Sequence, residues 1–262
     1  MKTGAYLRAV IAVSLIGGGA IAQQPAAPAT KKAAPAPRRD ISGHWSGPVL
    51  SRKEPPPPMT AFGQQLFEAA KPLQGPRAVA IAQTNDPFVT CDPLGFPRSV
   101  LYETRGLAFE PVSRRTLQLL QYQRIWREIW TDGRPLPTNV AAPGNDTRDP
   151  RYYGYSVGRW ADDYTFVVTT TGFSENAWAD ELGHPRSMHA KVEERYRRID
   201  FDTLSLTVTI DDPKSYTKPY LVLNQQLFTR SPRQEFDEQL CVPSEALEYR
   251  ATFTPPGVDK QP

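Results

Sequence analysis

From Leu204 to Asp211 apolar and polar positions alternate without a fault: Leu204, Leu206, Val208 and Ile210 against Ser205, Thr207, Thr209 and Asp211. A period of two sends successive side chains to opposite faces of an extended chain, so this stretch predicts a strand over 204–210 with one face in a core and one in water. Tyr164, Phe166 and Val168 alternate with Thr165 and Thr169 in the same way, although Val167 intrudes on the polar face. The same reading gives strands over 99–110, 116–123, 124–131, 155–160, 164–171, 189–199 and 220–229, and the fold begins near Ile41-Ser42-Gly43-His44-Trp45. Short turn sequences separate most of them, among them Asp132-Gly133, Ala161-Asp162-Asp163 and Asp200-Phe201-Asp202-Thr203.

One segment departs from the period of two. After the proline run Pro55 to Pro58, Phe62, Leu66, Phe67 and Ala70 share one helical face, which predicts a single short amphipathic helix within 59–71. Gly75-Pro76 and the prolines from Pro87 to Pro97 mark an irregular stretch around Cys91, and a long polar loop spans 135–149. Eight or nine strands at hairpin spacing, rich in β-branched and aromatic residues, read as an antiparallel sandwich or an up-and-down barrel. The run of hairpins and the one early helix favour a mainly β, antiparallel, lipocalin-like barrel over 41–262, closed on itself with no free edge.

The N-terminal composition is different. Lys2 and Arg8, the apolar run from Ala9 to Ile16 and Ala20-Ile21-Ala22 together read as a signal peptide over 1–22, too short and too broken by Gly17-Gly18-Gly19 to span a bilayer. Residues 23–40 are Ala, Pro and Lys without apolar periodicity, the composition of a disordered tether. A periplasmic or secreted location follows, with no membrane span after cleavage. The chain's formal charge of +3 resides in these segments, since the body from Ile41 holds 25 basic and 27 acidic residues. A body of net −2 has no field to draw in a polyanion, so nucleic acid is not expected as a partner. Two cysteines, Cys91 and Cys241, form a disulfide in an oxidising compartment or stay as two buried thiols; the location favours the bridge.

Chemistry is harder to find. Gly154-Tyr155-Ser156-Val157-Gly158 matches the G-x-S-x-G string of serine hydrolases, but an Asp-Asp turn and a strand follow where a helix is required, so Ser156 reads as a strand residue. His184 and His189 are five apart across Pro185, not on one helical face, and no metal is expected. The charges on strands say more. Ala190, Val192, Glu194 and Tyr196 form the less polar face of their strand, which points Glu194 inward. In 124–130 either Arg127 or Glu128 goes inside with its face. A buried charge needs a partner, so an inward Arg127 or Glu128 opposite Glu194 is expected, as a structural ion pair or as a group orienting a polar ligand.

Several strings carry a resemblance: 91–98 (CDPLGFPR), 127–134 (REIWTDGR), 154–160 (GYSVGRW) and 212–219 (DPKSYTKP). With Gly183-His184-Pro185 and Glu194-Arg195, they are similar to a family of exported bacterial proteins, over the chain from about Ile41 onward. That resemblance implies an envelope location and brings no activity or cofactor with it. Members read His-Pro-His where this chain has His184-Pro185-Arg186, which weakens a paired-histidine metal site. The expected function is binding of a small, partly apolar molecule in the barrel lumen, with Arg127, Glu194 and His184 as polar contacts and Trp126, Trp130 and Tyr196 as the apolar wall. The alternatives are an enzyme, with Glu194 or His184 as proton acceptor and Arg127 as anion stabiliser, and a structural or interaction module with a filled lumen. Oligomeric state is left open.

Overall fold

The computed structural model describes residues 33–48, 51–102, 105–233 and 235–253, so the expected signal peptide and the first part of the tether lie outside the described residues. The strands are β1 (Gly43–Ser46), β2 (Gly106–Val112), β3 (Arg115–Leu120), β4 (Ile125–Trp130), β5 (Tyr155–Trp160), β6 (Thr165–Thr171), β7 (Lys191–Arg198), β8 (Thr203–Asp211) and β9 (Tyr220–Arg230). They close into a barrel in sequence order, β9 pairing back onto β1. The expected barrel is present.

Every pairing is antiparallel except one. β4 and β5 run parallel, joined only through Ile129–Ser156 and Trp130–Val157. Parity demands such a step. In a strict up-and-down meander of nine strands the first and last point the same way, so an antiparallel β1–β9 closure requires one reversal of the alternation. A parallel step cannot be made by a hairpin and needs a long return of chain. Here residues 131–154 make it, on the outside of β4. The barrel is therefore mixed, not wholly antiparallel as the turn signals predict.

Three helices accompany the strands among the described residues: α1 (Ala61–Ala69), α2 (Arg98–Leu101) and α3 (Pro243–Ala251). The one expected helix is α1, but its buried face differs from the expected one. Phe62 and Leu66 are exposed, while Gly63 and Ala70 are buried and Phe67 is half-buried. The reason is close approach of a loop: a Cβ on Gly63 would lie 2.1 Å from the Ser215 carbonyl oxygen, so the helix rests its glycine on the β8–β9 connection. Gly63→Ala should accordingly destabilise the fold by about 1–3 kcal/mol, read as a lowered urea midpoint. An unchanged midpoint would show that α1 shifts freely.

The expected strand over 99–110 starts only at Gly106, because residues 94–101 are wholly buried and have no solvent face to set an alternation. Phe96, Val100 and Leu101 from this segment pack with Trp45, Phe109, Phe166, Tyr196, Leu206 and Phe228 in one core cluster. Cys91 and Cys241 form a disulfide, tying the segment after β9 to the short turn Pro87–Thr90. The compact unit begins at Ala33: the Phe201 amide donates to the Ala34 carbonyl at 2.8 Å and the Arg39 amide to that of Asp163 at 2.7 Å.

Candidate functional site

Register decides which charges meet. Gln118 of β3 faces Arg127 of β4 directly, and on β7 Glu194 and Tyr196 point to the same interior. The four close a ring. The Arg127 Nε donates to Gln118 Oε1 at 2.5 Å, and the Gln118 Nε2 donates to the Tyr196 hydroxyl at 2.8 Å. That hydroxyl donates to Glu194 Oε1, and Arg127 Nη2 donates to Glu194 Oε2. Thr170 Oγ1 adds a 3.5 Å contact to Arg127 Nη1 and lies 2.9 Å from the Ser156 hydroxyl. The Arg127 guanidinium is stacked 3.9 Å from the Phe96 ring centre. Burial, then the Glu194 charge, push the Tyr196 phenol well above its ordinary pKa, so it stays a donor. The ring ties β3 and β4 to β7 through the lumen.

Ser156, the residue of the hydrolase-like string, is the second residue of β5, and a strand, not a helix, follows it. Gly158 beside it is explained by packing, since a Cβ there would lie 2.4 Å from the Phe166 ring and 2.7 Å from Ile129.

A cavity opens beside β4. It is a cleft of about 1380 Å³ between β4, the start of β5 and the 131–154 return, and its lining includes Trp126, Arg127, Trp130, Tyr153, Tyr155 and Ser156. Trp126 is 59% exposed on the outer face of β4. Trp130 is covered by two guanidiniums, Arg134 at 3.5 Å and Arg115 at 5.2 Å. Asp132 holds Arg134 and Arg114, and the hydrogen bonds from Arg134 first of all keep its carboxyl well below the usual range. Burial pushes the Tyr153 phenol up.

His184 belongs to a different place. Its Nδ1 lies 2.6 Å from Asp180 Oδ2, and its ring stacks on Phe67 of α1 at 5.0 Å. Burial alone would raise the Asp180 carboxyl, but the bond and charge of His184, helped by Lys53, outweigh it and leave the pKa lowered. Lys53 pairs with Glu181 alongside. Of the six residues expected to form one ligand site, the fold thus brings Arg127, Glu194 and Tyr196 together in the ring, sets Trp126 and Trp130 on the cleft with Arg127, and separates His184 from both.

Gln118 was not legible as a site residue until β3 was in register, although a glutamine between Thr116 and Leu120 on an inward face was a signal. The arginines of the return, Arg148 and Arg151, carried none. Among the described residues no cluster of three or more His, Cys, Asp or Glu side chains is placed to hold a metal, and no helix is long and apolar enough to cross a membrane. No family model matches the chain, and no curated protein matches it either.

Proposed function

We propose that this protein binds a small, partly apolar molecule, and that it does so in the cleft beside β4 and not in the lumen. The observation that carries this reading is the cleft itself. Its 1380 Å³ is more than the roughly 300–1,000 Å³ that small-molecule sites occupy, and aromatic rings and arginines share its walls. Buried side chains of β2 and of β6 to β9 crowd the barrel interior, and Glu194 and Tyr196 serve the site from behind, Glu194 by holding Arg127. Acid–base catalysis has less to draw on, since both Glu194 oxygens already accept hydrogen bonds and His184 does not line the cleft. The packed lumen also favours a structural or interaction module, which would have no use for the cleft. We place the protein outside the cytoplasm, periplasmic or secreted, on the N-terminal sequence, the resemblance to exported proteins and the Cys91–Cys241 bridge.

Native mass spectrometry of the full chain isolated from the cells that make it tests the reading. A small-molecule adduct lost on denaturation and absent from Trp126→Ala is the expected result. An adduct that Trp126→Ala keeps, or a chain that carries none and whose tryptophan fluorescence is unmoved by extracts of those cells, would overturn it. Trp126 is exposed, so its loss should leave stability within about 0.5 kcal/mol.

A further inference from the structure

The arginines of the cleft are not alike. Five arginines but three carboxylates line it. Arg114 and Arg134 share Asp132, and Arg127 is bound to Glu194 in the lumen. Glu128 is taken by Arg115 from beyond the cleft. Arg148 and Arg151 have no carboxylate partner among the described residues, and the remaining lining acid, Asp146, is ion-paired with neither. Both instead use the same ring: the Arg151 guanidinium is 4.2 Å and that of Arg148 5.6 Å from the centre of Tyr155.

Their positions are set by backbone. The Ala141 amide donates to the Arg148 carbonyl at 2.8 Å, and the Arg148 amide to that of Asn139 at 3.0 Å. The Arg151 amide donates to the Gly172 carbonyl at 3.0 Å, and the Tyr155 hydroxyl to the Asp149 carbonyl at 2.9 Å. Two cations gathered on one ring repel each other, and an anion between them relieves that repulsion. A guanidinium stacked on an aromatic face spends the face and keeps its in-plane N–H edge for an acceptor, the geometry suited to a carboxylate.

Resting on the reading of the cleft as the binding site, we infer that its ligand is an organic carboxylate: Arg148 and Arg151 take the carboxylate, and the apolar body lies toward Trp126 of β4, which lines the same cleft. The two arginines set charge selectivity, and Trp126 contributes to binding whatever the charge.

Calorimetric titration of the full chain with 2-naphthoate and with its uncharged amide, 2-naphthamide, separates the two claims. The carboxylate should bind about tenfold more tightly at low salt, and the margin should close as NaCl rises past one Debye length's worth of screening. Arg148→Ala/Arg151→Ala should erase the margin by weakening naphthoate alone, with an unchanged melting temperature. Trp126→Ala should weaken both probes. Equal binding of the two probes to the wild type, or a margin that survives in the double variant, overturns the carboxylate inference; if Trp126→Ala still weakens both, the cleft reading stands without it. If neither probe binds the wild type, the cleft reading and the inference fall together.

Discussion

Glu194→Leu should cost the fold about 3–5 kcal/mol in equilibrium denaturation, the largest effect expected of any single substitution here. Glu194 is completely buried and its partner Arg127 is 4% exposed, so removing the carboxylate leaves an almost fully buried guanidinium without its counter-charge. The loss does not stop at the pair. The Tyr196 hydroxyl forfeits its acceptor, and each buried polar group left unmatched adds about 1–3 kcal/mol. Arg127→Met should do comparable damage from the other side. The double variant Arg127→Met/Glu194→Leu should fall well short of the sum, because no unpaired charge is left, yet it should not recover the wild-type value, since Gln118 Oε1 has lost its donor and the Tyr196 hydroxyl its acceptor while the bond between the two residues remains. Urea midpoints of the four proteins give the coupling directly. A loss below about 1 kcal/mol for Glu194→Leu would mean that water screens the pair, and the ring would then be ornament, not structure.

The second large effect belongs to the disulfide. It closes a separation of 150 residues, which in the chain-entropy account corresponds to about 5 kcal/mol, an upper figure. Cys91→Ser/Cys241→Ser should therefore lower stability by roughly 3–5 kcal/mol. It should also do something local. No residue of α3 is buried, so the helix that follows Cys241 is held beside the Pro87–Thr90 turn chiefly by the bridge, with Arg250 Nη2 donating to the Thr84 carbonyl at 3.3 Å. Amide exchange in α3 should rise to nearly unprotected rates in the double variant while β7 and β8 keep their protection. Equal protection of α3 with and without the bridge would sink this account.

Strands with one wet face were easy to read: β5 coincides with its expected span, and β8 exceeds its span by one residue at each end. Residues 94–101 were not, because a segment buried on all sides has no alternation, and α3 was missed because it has little apolar face to announce it. The parallel step was hidden for another reason. Turn residues report where a chain bends, whereas the parity of a closed sheet depends on all nine strands at once. The site was legible in halves. Alternation on β7 pointed Glu194 inward and named Arg127 as one of two candidate partners, which is the pair the fold makes. Alternation could not place His184, since loop positions have no period, nor Arg148 and Arg151, whose common feature is a ring seven and four residues further along the chain.

The return between β4 and β5 has to exist, but its sequence is little constrained by the barrel that requires it. Strand residues answer to neighbours on two sides, while most positions of 131–150 answer to their own turn and to solvent. Substitutions and changes of length there can accumulate without disturbing the wall, so relatives of this protein could share one barrel and differ in what they hold. Selectivity, on this view, is inherited separately from stability: one belongs to an obligatory detour, the other to the closed ring of strands that makes the detour unavoidable.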